Sequence, residues 1–164
     1  MKKACLHILI VLTLTSCSRT YYIVRHAEKA APDAAMSSDV SLSDAGRLRA
    51  AALKEELQNK KIRAIYSTNY IRTKSTAEPL STTLGIPVTT YGPMPDTAFL
   101  RKLREEKGNV LIVAHSNTVD DVVNMLTGVK QYTDLNDSVY NHLYVVKVNR
   151  KGKVVDLHQR TYGR

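Results

Sequence analysis

Cysteine, glycine and acidic residues are all scarce in this sequence, and each shortage excludes a class of protein. Only two of the 164 residues are cysteine and seven are glycine, which excludes a disulfide scaffold and a collagen-like repeat. The 15 acidic residues face 24 lysines and arginines, so the net charge is +9 and a disordered acidic tail is excluded. No nucleic-acid-binding motif or aromatic platform accompanies the positive charge, and we therefore expect no nucleic-acid partner. The length predicts a single domain.

The N-terminus has the pattern of a signal peptide. Lys2 and Lys3 precede an apolar run over residues 4–14, which is shorter than the ~20 residues that a membrane-spanning helix needs. The run ends in Leu14-Thr15-Ser16-Cys17, which resembles the lipobox of bacterial lipoproteins. The alternative is an ordinary secretory signal that happens to end near a cysteine.

The lipobox resemblance implies cleavage before Cys17, a lipid on its sulfur and a place in the bacterial cell envelope, periplasmic or surface-exposed. It divides the chain into a signal peptide over 1–16, a lipid-anchored spacer over 17–20 and a domain over 21–164. Cys5 lies in the discarded segment, so the mature chain has one cysteine and no internal disulfide.

Strand patterns alternate with helix patterns after the leader. Strands are predicted at residues 21–24, 62–66, 86–89, 110–114, 139–148 and 154–158. Helices are predicted from the N-cap Ser43 to residue 57, then over 69–84, 96–106 and 117–126. The alternation predicts an α/β fold: a three-layer sandwich whose mostly parallel central sheet is flanked by helices and ends in an antiparallel hairpin.

Two helices carry more detailed expectations. The spacing of Ala45, Leu48, Ala52 and Leu57 predicts that they share the buried face of the first helix. In the second helix, Pro79 predicts a break or a kink, and Gly85 predicts the end.

Four side chains that could bind or attack a phosphoryl group lie near the ends of predicted strands. Arg25 and His26 come directly after the first strand, and His115 follows the strand over 110–114. Arg72 lies in the first turn of the helix after the second strand. In such sheets ligands bind beyond the carboxyl ends of the strands. Two guanidinium groups could hold the oxygens of a phosphoryl group while one imidazole attacks phosphorus and the other donates hydrogen bonds.

Four segments resemble the histidine phosphatase superfamily. They are Val24-Arg25-His26-Ala27-Glu28, Leu42-Ser43-Asp44-Ala45-Gly46, the stretch from Tyr66-Ser67 to Arg72-Thr73-Lys74-Ser75-Thr76-Ala77, and Val113-Ala114-His115-Ser116. Ala27 departs from the family, which has glycine there. The resemblance implies that His26 forms a phosphohistidine intermediate and that Arg25, Arg72 and His115 bind the phosphoryl group. It implies no metal and no cofactor, because the arginines supply the charge that Mg²⁺ supplies elsewhere.

The sequence does not determine which residue donates a proton to the leaving group. Glu28 is the carboxyl group nearest the nucleophile in sequence and is the favoured catalytic acid. Asp96 is an alternative, as is the absence of any dedicated acid, and Asp120 with Asp121 could equally be solvated. Asn117 either contacts the phosphate or caps its helix.

The sequence therefore predicts a metal-independent phosphatase for phosphomonoesters, anchored outside the cytoplasm by Cys17. The expected substrate is a phosphorylated small molecule or an envelope glycan, held in an open and shallow site. A phosphoglycerate-mutase-type phosphoryl transfer and a non-catalytic anion-binding lipoprotein are the alternatives. Because the first strand begins close to Cys17 and ends at His26, we expect the site to face away from the membrane.

Overall fold

The structure, a computed structural model, describes residues 18–30 and 39–163. The predicted signal peptide, Cys17 and part of the predicted loop before Leu42 lie outside the described residues. The strands are β1 Arg19–Arg25, β2 Ile62–Thr68, β3 Val88–Tyr91, β4 Asn109–Ala114, β5 His142–Val148 and β6 Val154–Thr161. The helices are α1 Asp44–Leu57, α2 Ile71–Leu84, α3 Thr97–Glu105 and α4 Val119–Thr127. None of the helices in the described ranges is long and apolar enough to span a membrane.

The six strands form one mixed sheet in the order β3-β2-β4-β1-β5-β6. The four strands from β3 to β1 run parallel, and β5 and β6 complete the sheet as antiparallel neighbours. This confirms the predicted α/β fold with its C-terminal hairpin. Because β2, β4 and β1 are adjacent and parallel, their carboxyl ends meet at one edge.

Strand β4 explains why the sheet has helices on both faces. Its residues Val110 to Ala114 are fully buried, as a parallel strand covered on both sides should be. Val110 and Ile112 belong to the apolar cluster with residues of α3 and α4, whereas Leu111 and Val113 belong to the cluster with α1 and α2. Successive side chains point to opposite faces, so the strand joins three layers.

Helix α1 begins as predicted but buries a different face. The hydroxyl of Ser43 caps it by accepting a hydrogen bond from the backbone N–H of Gly46. Its buried residues are Gly46, Ala50, Leu53 and Leu57. The face predicted through Leu48 is wrong, since that side chain is 74% exposed. The small Gly46 and Ala50 allow close approach of the backbone, which a search for large apolar residues overlooks.

Helix α2 continues through Pro79, so a break at that position is wrong. A proline inside a helix removes one backbone hydrogen bond, but the buried residues Thr76, Ala77 and Leu80 hold this helix against the rest of the domain on both sides of the proline. The helix ends at Gly85, which adopts the left-handed conformation at φ 65° as predicted.

Candidate active site

A cavity of about 280 Å³ lies at the carboxyl ends of β1, β2 and β4. Its lining residues are Arg25, His26, Lys29, Tyr70, Arg72, Pro93, Met94, His115, Ser116, Asn117, Thr118 and Asp137. The structure thus brings together five predicted site residues: Arg25, His26, Arg72, His115 and Asn117. It does not bring Glu28 or Asp96 to the lining.

His26 is held with one nitrogen free for chemistry. Its backbone N–H donates to the carbonyl oxygen of Ala114 on β4 at 2.9 Å, which ties it to the neighbouring strand end. Its Nδ1 lies 2.8 Å from the carbonyl oxygen of Ala27. Since a carbonyl oxygen only accepts, Nδ1 carries the proton and Nε2 keeps a lone pair. Burial lowers the pKa of His26 to about 3, with a smaller contribution from Arg25 and Arg72, so the ring is neutral at ordinary pH.

His115 is held by a buried chain of hydroxyl groups. Its Nε2 lies 2.8 Å from Oγ1 of Thr68, which lies 3.0 Å from Oγ1 of Thr73. Nδ1 lies 3.3 Å from a guanidinium nitrogen of Arg72. Arginine only donates, so Nδ1 accepts and the single N–H of the neutral ring goes to Thr68. Burial, followed by Arg72 and Arg25, lowers the pKa of His115 to about 4.

Arg25 is fixed by the loop that precedes β5. Its Nη1 donates to the carbonyl oxygens of Asn136, Asp137 and Val139 at 2.9–3.1 Å. Its guanidinium also lies 4.0 Å from the centre of the Tyr140 ring. Its Nε is buried without a hydrogen-bond partner among the described residues. An unpaired buried donor is costly, and an oxygen of a bound phosphoryl group would satisfy it.

Arg72 reaches the cavity from the first turn of α2. Its guanidinium carbon lies 4.4 Å from the centre of the Tyr70 ring, and Nη1 lies 3.8 Å from Oδ1 of Asp39. The same oxygen accepts the backbone N–H of Ile71 at 2.7 Å. Asp39 therefore binds both the start of α2 and the arginine that this helix presents.

The start of α4 supplies further donors. Ser116, Asn117 and Thr118 line the cavity between His115 and the helix, and the backbone N–H groups at a helix N-terminus favour an anion. Thr118, the N-cap residue, makes no side-chain capping bond to this helix. Its hydroxyl instead accepts the backbone N–H of His115 at 3.1 Å.

Glu28 is bound to an arginine away from the cavity lining. Both carboxylate oxygens accept hydrogen bonds from Arg49 at 2.6–2.8 Å, in a bidentate ion pair. Burial raises the pKa of Glu28, but the Arg49 hydrogen bonds and charge bring the net pKa below its usual range. The carboxyl group is therefore ionised and has no proton to donate. Asp96 caps α3 by accepting from the N–H of Phe99, and Asp120 is buried on α4.

Seven of the lining residues were not predicted as site residues, and they are Lys29, Tyr70, Pro93, Met94, Ser116, Thr118 and Asp137. Lys29 directly follows one recognised segment and Tyr70 lies within another, and that position in the sequence was the only available signal. Asp137 carries the one carboxyl group among the described residues that line the cavity, and its Oδ1 lies 3.4 Å from Nη2 of Arg25. No sequence pattern connects the loop before β5 with the first strand.

The cavity is cationic overall, since its lining has three basic side chains and one acidic side chain. Among residues 18–30 and 39–163, no group of three or more histidine, cysteine or acidic residues is arranged to hold a metal ion. Two guanidinium groups, a neutral imidazole with a free lone pair and a helix N-terminus can bind a tetrahedral oxyanion and attack its central atom.

Part of the sequence matches a known protein family. Residues 21–93, which include Arg25, His26 and Arg72, match the sequence model of the histidine phosphatase superfamily (branch 1). His115 lies beyond the matched segment. Among curated proteins, none matches the sequence.

Several solved structures share the fold over most of their length. One is the protein histidine phosphatase SixA in complex with tungstate, with 22% identity, a TM-score of 0.67 and coverage of 87% of this chain and 96% of that chain. A mycobacterial glucosyl-3-phosphoglycerate phosphatase has 13% identity, a TM-score of 0.64 and coverage of 88% and 98%. A phosphoglycerate mutase from Bacillus anthracis has 14% identity, a TM-score of 0.65 and coverage of 89% and 93%. At these identities the likeness shows the fold alone.

Proposed function

We propose that the protein hydrolyses phosphomonoesters through a phosphohistidine on His26, and the match of residues 21–93 to the sequence model of the histidine phosphatase superfamily supports this. The observation that carries the proposal is the hydrogen bond between Nδ1 of His26 and the Ala27 carbonyl oxygen. It leaves the Nε2 lone pair on a neutral ring beside Arg25 and Arg72, where a phosphoryl group would be held.

The reaction has two steps. In the first, Nε2 of His26 attacks phosphorus and the bond to the leaving oxygen breaks, which transfers the phosphoryl group to the ring. In the second, water attacks phosphorus and the bond to Nε2 breaks. The proton of the water passes to the carboxylate that protonated the leaving oxygen in the first step, and inorganic phosphate leaves. Arg25 and Arg72 stabilise the charge on the non-bridging oxygens in both steps.

His115 acts on the phosphate as a cation. Its neutral ring uses its one N–H on Thr68, so it can donate to an oxygen only after Nδ1 takes up a proton. An anionic phosphoryl group beside the ring favours that uptake. The charged ring then donates from Nδ1 to the substrate, in the place where the neutral ring accepted from Arg72.

Asp137 is the proposed proton donor for the leaving oxygen. Its carboxyl group is the only one on the described lining, and it is exposed at the mouth of the cavity, where it can exchange protons with water and with a leaving group. Glu28 is instead a positioning residue, because its carboxylate is held by Arg49 and its backbone adjoins the nucleophile's loop.

The cavity fits a phosphoryl group better than a whole substrate. Its volume of about 280 Å³ is at the small end of ligand pockets, which run from roughly 300 to 1,000 Å³. The organic part of the substrate would then lie outside, against Lys29, Tyr70 and Met94. Such a site accepts bulky phosphorylated molecules, including envelope glycans, and the structural neighbours named for phosphohistidine proteins and for a glucosyl phosphoglycerate are consistent with that breadth.

The test is phosphate release from a chromogenic aryl phosphate in the presence of a chelator. We expect the parent protein to turn over, and His26→Ala to lose at least about a thousandfold in kcat. His158→Ala is the matched control, because that histidine lies on the exposed face of β6. Loss of parent activity in chelator would refute the metal-free mechanism, and absence of turnover on a panel of phosphomonoesters would favour the anion-binding lipoprotein. Transfer of phosphate to a second substrate molecule instead of water would favour the mutase.

We also propose that Cys17 carries a lipid that anchors the domain in the cell envelope. The support is the sequence order of basic residues, apolar run and Leu14-Thr15-Ser16-Cys17. Incorporation of a labelled fatty acid in a bacterial host should be abolished in Cys17→Ser, and label retained by that variant would contradict the assignment.

A further inference from the structure

A second charged cavity lies at the opposite end of the sheet from the phosphate site. It has a volume of about 410 Å³ and is lined by Arg19, Arg104, Arg150, Lys151, Gly152 and Lys153. We call its five cationic residues the basic end surface. No acidic side chain is among the described residues that line it. Strand β1 separates the two cavities, since Arg19 is its first residue and Arg25 its last, a span of about 20 Å.

The fold assembles this surface from three separate parts of the chain. Arg19 pairs with Val148 at the end of β5, which places the β5–β6 turn beside it. Its Nη1 donates to the backbone carbonyl oxygens of Arg104, at 2.8 Å, and Glu106, just after α3. The sequence alone shows only the basic run 150–153, which reads as a solvated turn. The pairing of β1 with β5 is what joins Arg19 and Arg104 to it.

The turn is held in one conformation by a single side chain. Oδ1 of Asn149 accepts the backbone N–H groups of Lys151 and Lys153, both at 3.0 Å. Gly152 completes the turn with a φ of 78°. Because the backbone makes these bonds, the side chains of Lys151 and Lys153 are left to solvent or to a partner.

Five like charges around one cavity repel one another unless an anionic partner approaches. Two kinds of extended polyanion offer phosphate groups: a membrane with anionic headgroups and a nucleic acid. The lining has no aromatic side chain on which a base could stack. The surface also includes Arg19, two residues after Cys17 in the sequence. Both observations favour the membrane.

We propose that the basic end surface binds anionic phospholipid headgroups and orients the domain with its phosphate site away from the bilayer. Clustered lysines and arginines near a membrane each strengthen binding to anionic lipid. A lipid on Cys17 would fix the distance of the domain from the bilayer, and the surface would fix its orientation. The proposal concerns a different end of the molecule from the phosphatase site and does not depend on catalysis.

The test uses the full chain with Cys17→Ser, so that acylation cannot contribute. Binding is measured by co-sedimentation with phosphatidylcholine vesicles that contain or lack phosphatidylglycerol, and the readout is the ratio of the two. The leader contributes equally in every variant, so differences between variants report the folded domain. We expect Lys151→Glu with Lys153→Glu to lower the ratio by about twentyfold or more, at about fivefold for each charge, and high salt to lower it as well.

The matched control is Lys74→Glu with Arg101→Glu, an equal change of net charge at exposed positions outside the basic end surface. It should leave most of the binding to anionic vesicles in place. An equal loss in both pairs would overturn the proposal, because it would show a response to net charge only. Binding to duplex DNA that the first pair abolishes, without binding to vesicles, would assign the surface to nucleic acid instead. Phosphate release by the first pair should equal that of the parent, which separates this test from that of the phosphatase.

Discussion

Two carboxyl groups, those of Glu28 and Asp137, have opposite surroundings near the candidate active site. Glu28 is only two residues from His26, but its carboxylate accepts three hydrogen bonds from Arg49. Asp137 is far away in sequence, yet its side chain is 96% exposed and stands at the rim of the cavity. The carboxyl group nearest to His26 in the sequence is therefore not the one that lines the cavity. The two roles can be separated by how the rate depends on the leaving group.

Asp137→Asn should slow hydrolysis of alkyl phosphates by about a hundredfold and that of activated aryl phosphates only slightly. The reason is that a poor leaving oxygen needs a proton in the transition state, whereas a good one does not. The measurement is kcat/KM over a series of phosphate esters with leaving groups of different basicity.

Glu28→Gln is the matched comparison, because it removes an ion pair from the same neighbourhood. We expect it to lower thermal stability and to reduce the rate by a similar factor on every ester. A steep dependence on the leaving group in Glu28→Gln, with none in Asp137→Asn, would reverse the two assignments.

At the level of elements, the start of α1 is built around the backbone of Glu28. The N–H of Ser43 donates to the Glu28 carbonyl oxygen at 2.9 Å, and the Ser43 hydroxyl lies 3.2 Å from the same atom. A Cβ on Gly46 would clash with this oxygen. The serine and glycine of this segment are thus explained by one contact, which fixes the chain just after the nucleophile.

Gly46→Ala should destabilise the protein although alanine is the better helix former. Helix propensity alone would add about 1 kcal/mol to the free energy of unfolding. The clash with a backbone oxygen costs roughly 1–3 kcal/mol or more, so we expect a net loss, measured by denaturant unfolding. The control Ala45→Ser lies at an exposed position one residue earlier and should cost no more than about 0.5 kcal/mol. A stabilised Gly46→Ala would show that α1 can shift away from Glu28.

Helix α1 also shows which features of the fold can be predicted from local sequence patterns. Its capping residue could be predicted, because a hydroxyl that accepts from the third following N–H is a local interaction. Its buried face could not be predicted from large side chains, because the contact with the Glu28 loop requires glycine and alanine. The six strands were likewise predictable from apolar runs and turns, but their ends were not. Pairing extends β1, β2 and β6, whereas β5 begins at His142 and not at the predicted residue 139, because Val139 belongs to the loop that holds Arg25.

At the level of the whole molecule, burying two neutral histidines makes stability depend on pH. His26 titrates at about 3 and His115 at about 4 in the folded protein, against an ordinary value of 6.5. Between those values the unfolded chain binds more protons than the folded chain, so stability increases with pH. Their contribution is complete above pH 6.5 and is lost as the pH falls toward the folded pKa values.

The free energy of unfolding should therefore fall by roughly 5 kcal/mol between pH 6.5 and 4 through these two groups. Denaturant unfolding of the parent and of His26→Asn with His115→Asn measures the effect, because asparagine does not titrate there. The parent should lose more stability over this range than the double variant. Identical slopes would mean that the two rings take up protons in the folded protein as they do in the unfolded chain, which would contradict the lowered pKa values.

The candidate active site could be predicted only in part from the sequence. Arg25, His26, Arg72 and His115 follow strands or begin a helix, and the meeting of parallel strand ends brings such residues together. Asp137 reaches the cavity through a loop without secondary structure, and no periodic pattern encodes the path of that loop. The basic end surface depends on antiparallel pairing between the first and fifth strands. This pairing joins distant parts of the sequence, so no local pattern predicts it.

The loop that holds Arg25 can change its sequence without moving this arginine. Nη1 of Arg25 contacts three backbone carbonyl oxygens, and every residue offers the same oxygen whatever its side chain. Substitutions at Asn136 or Val139 can therefore alter the surface of this loop while the guanidinium keeps its position. Sequence change in the loop and a fixed Arg25 are compatible, because the contact uses only backbone atoms.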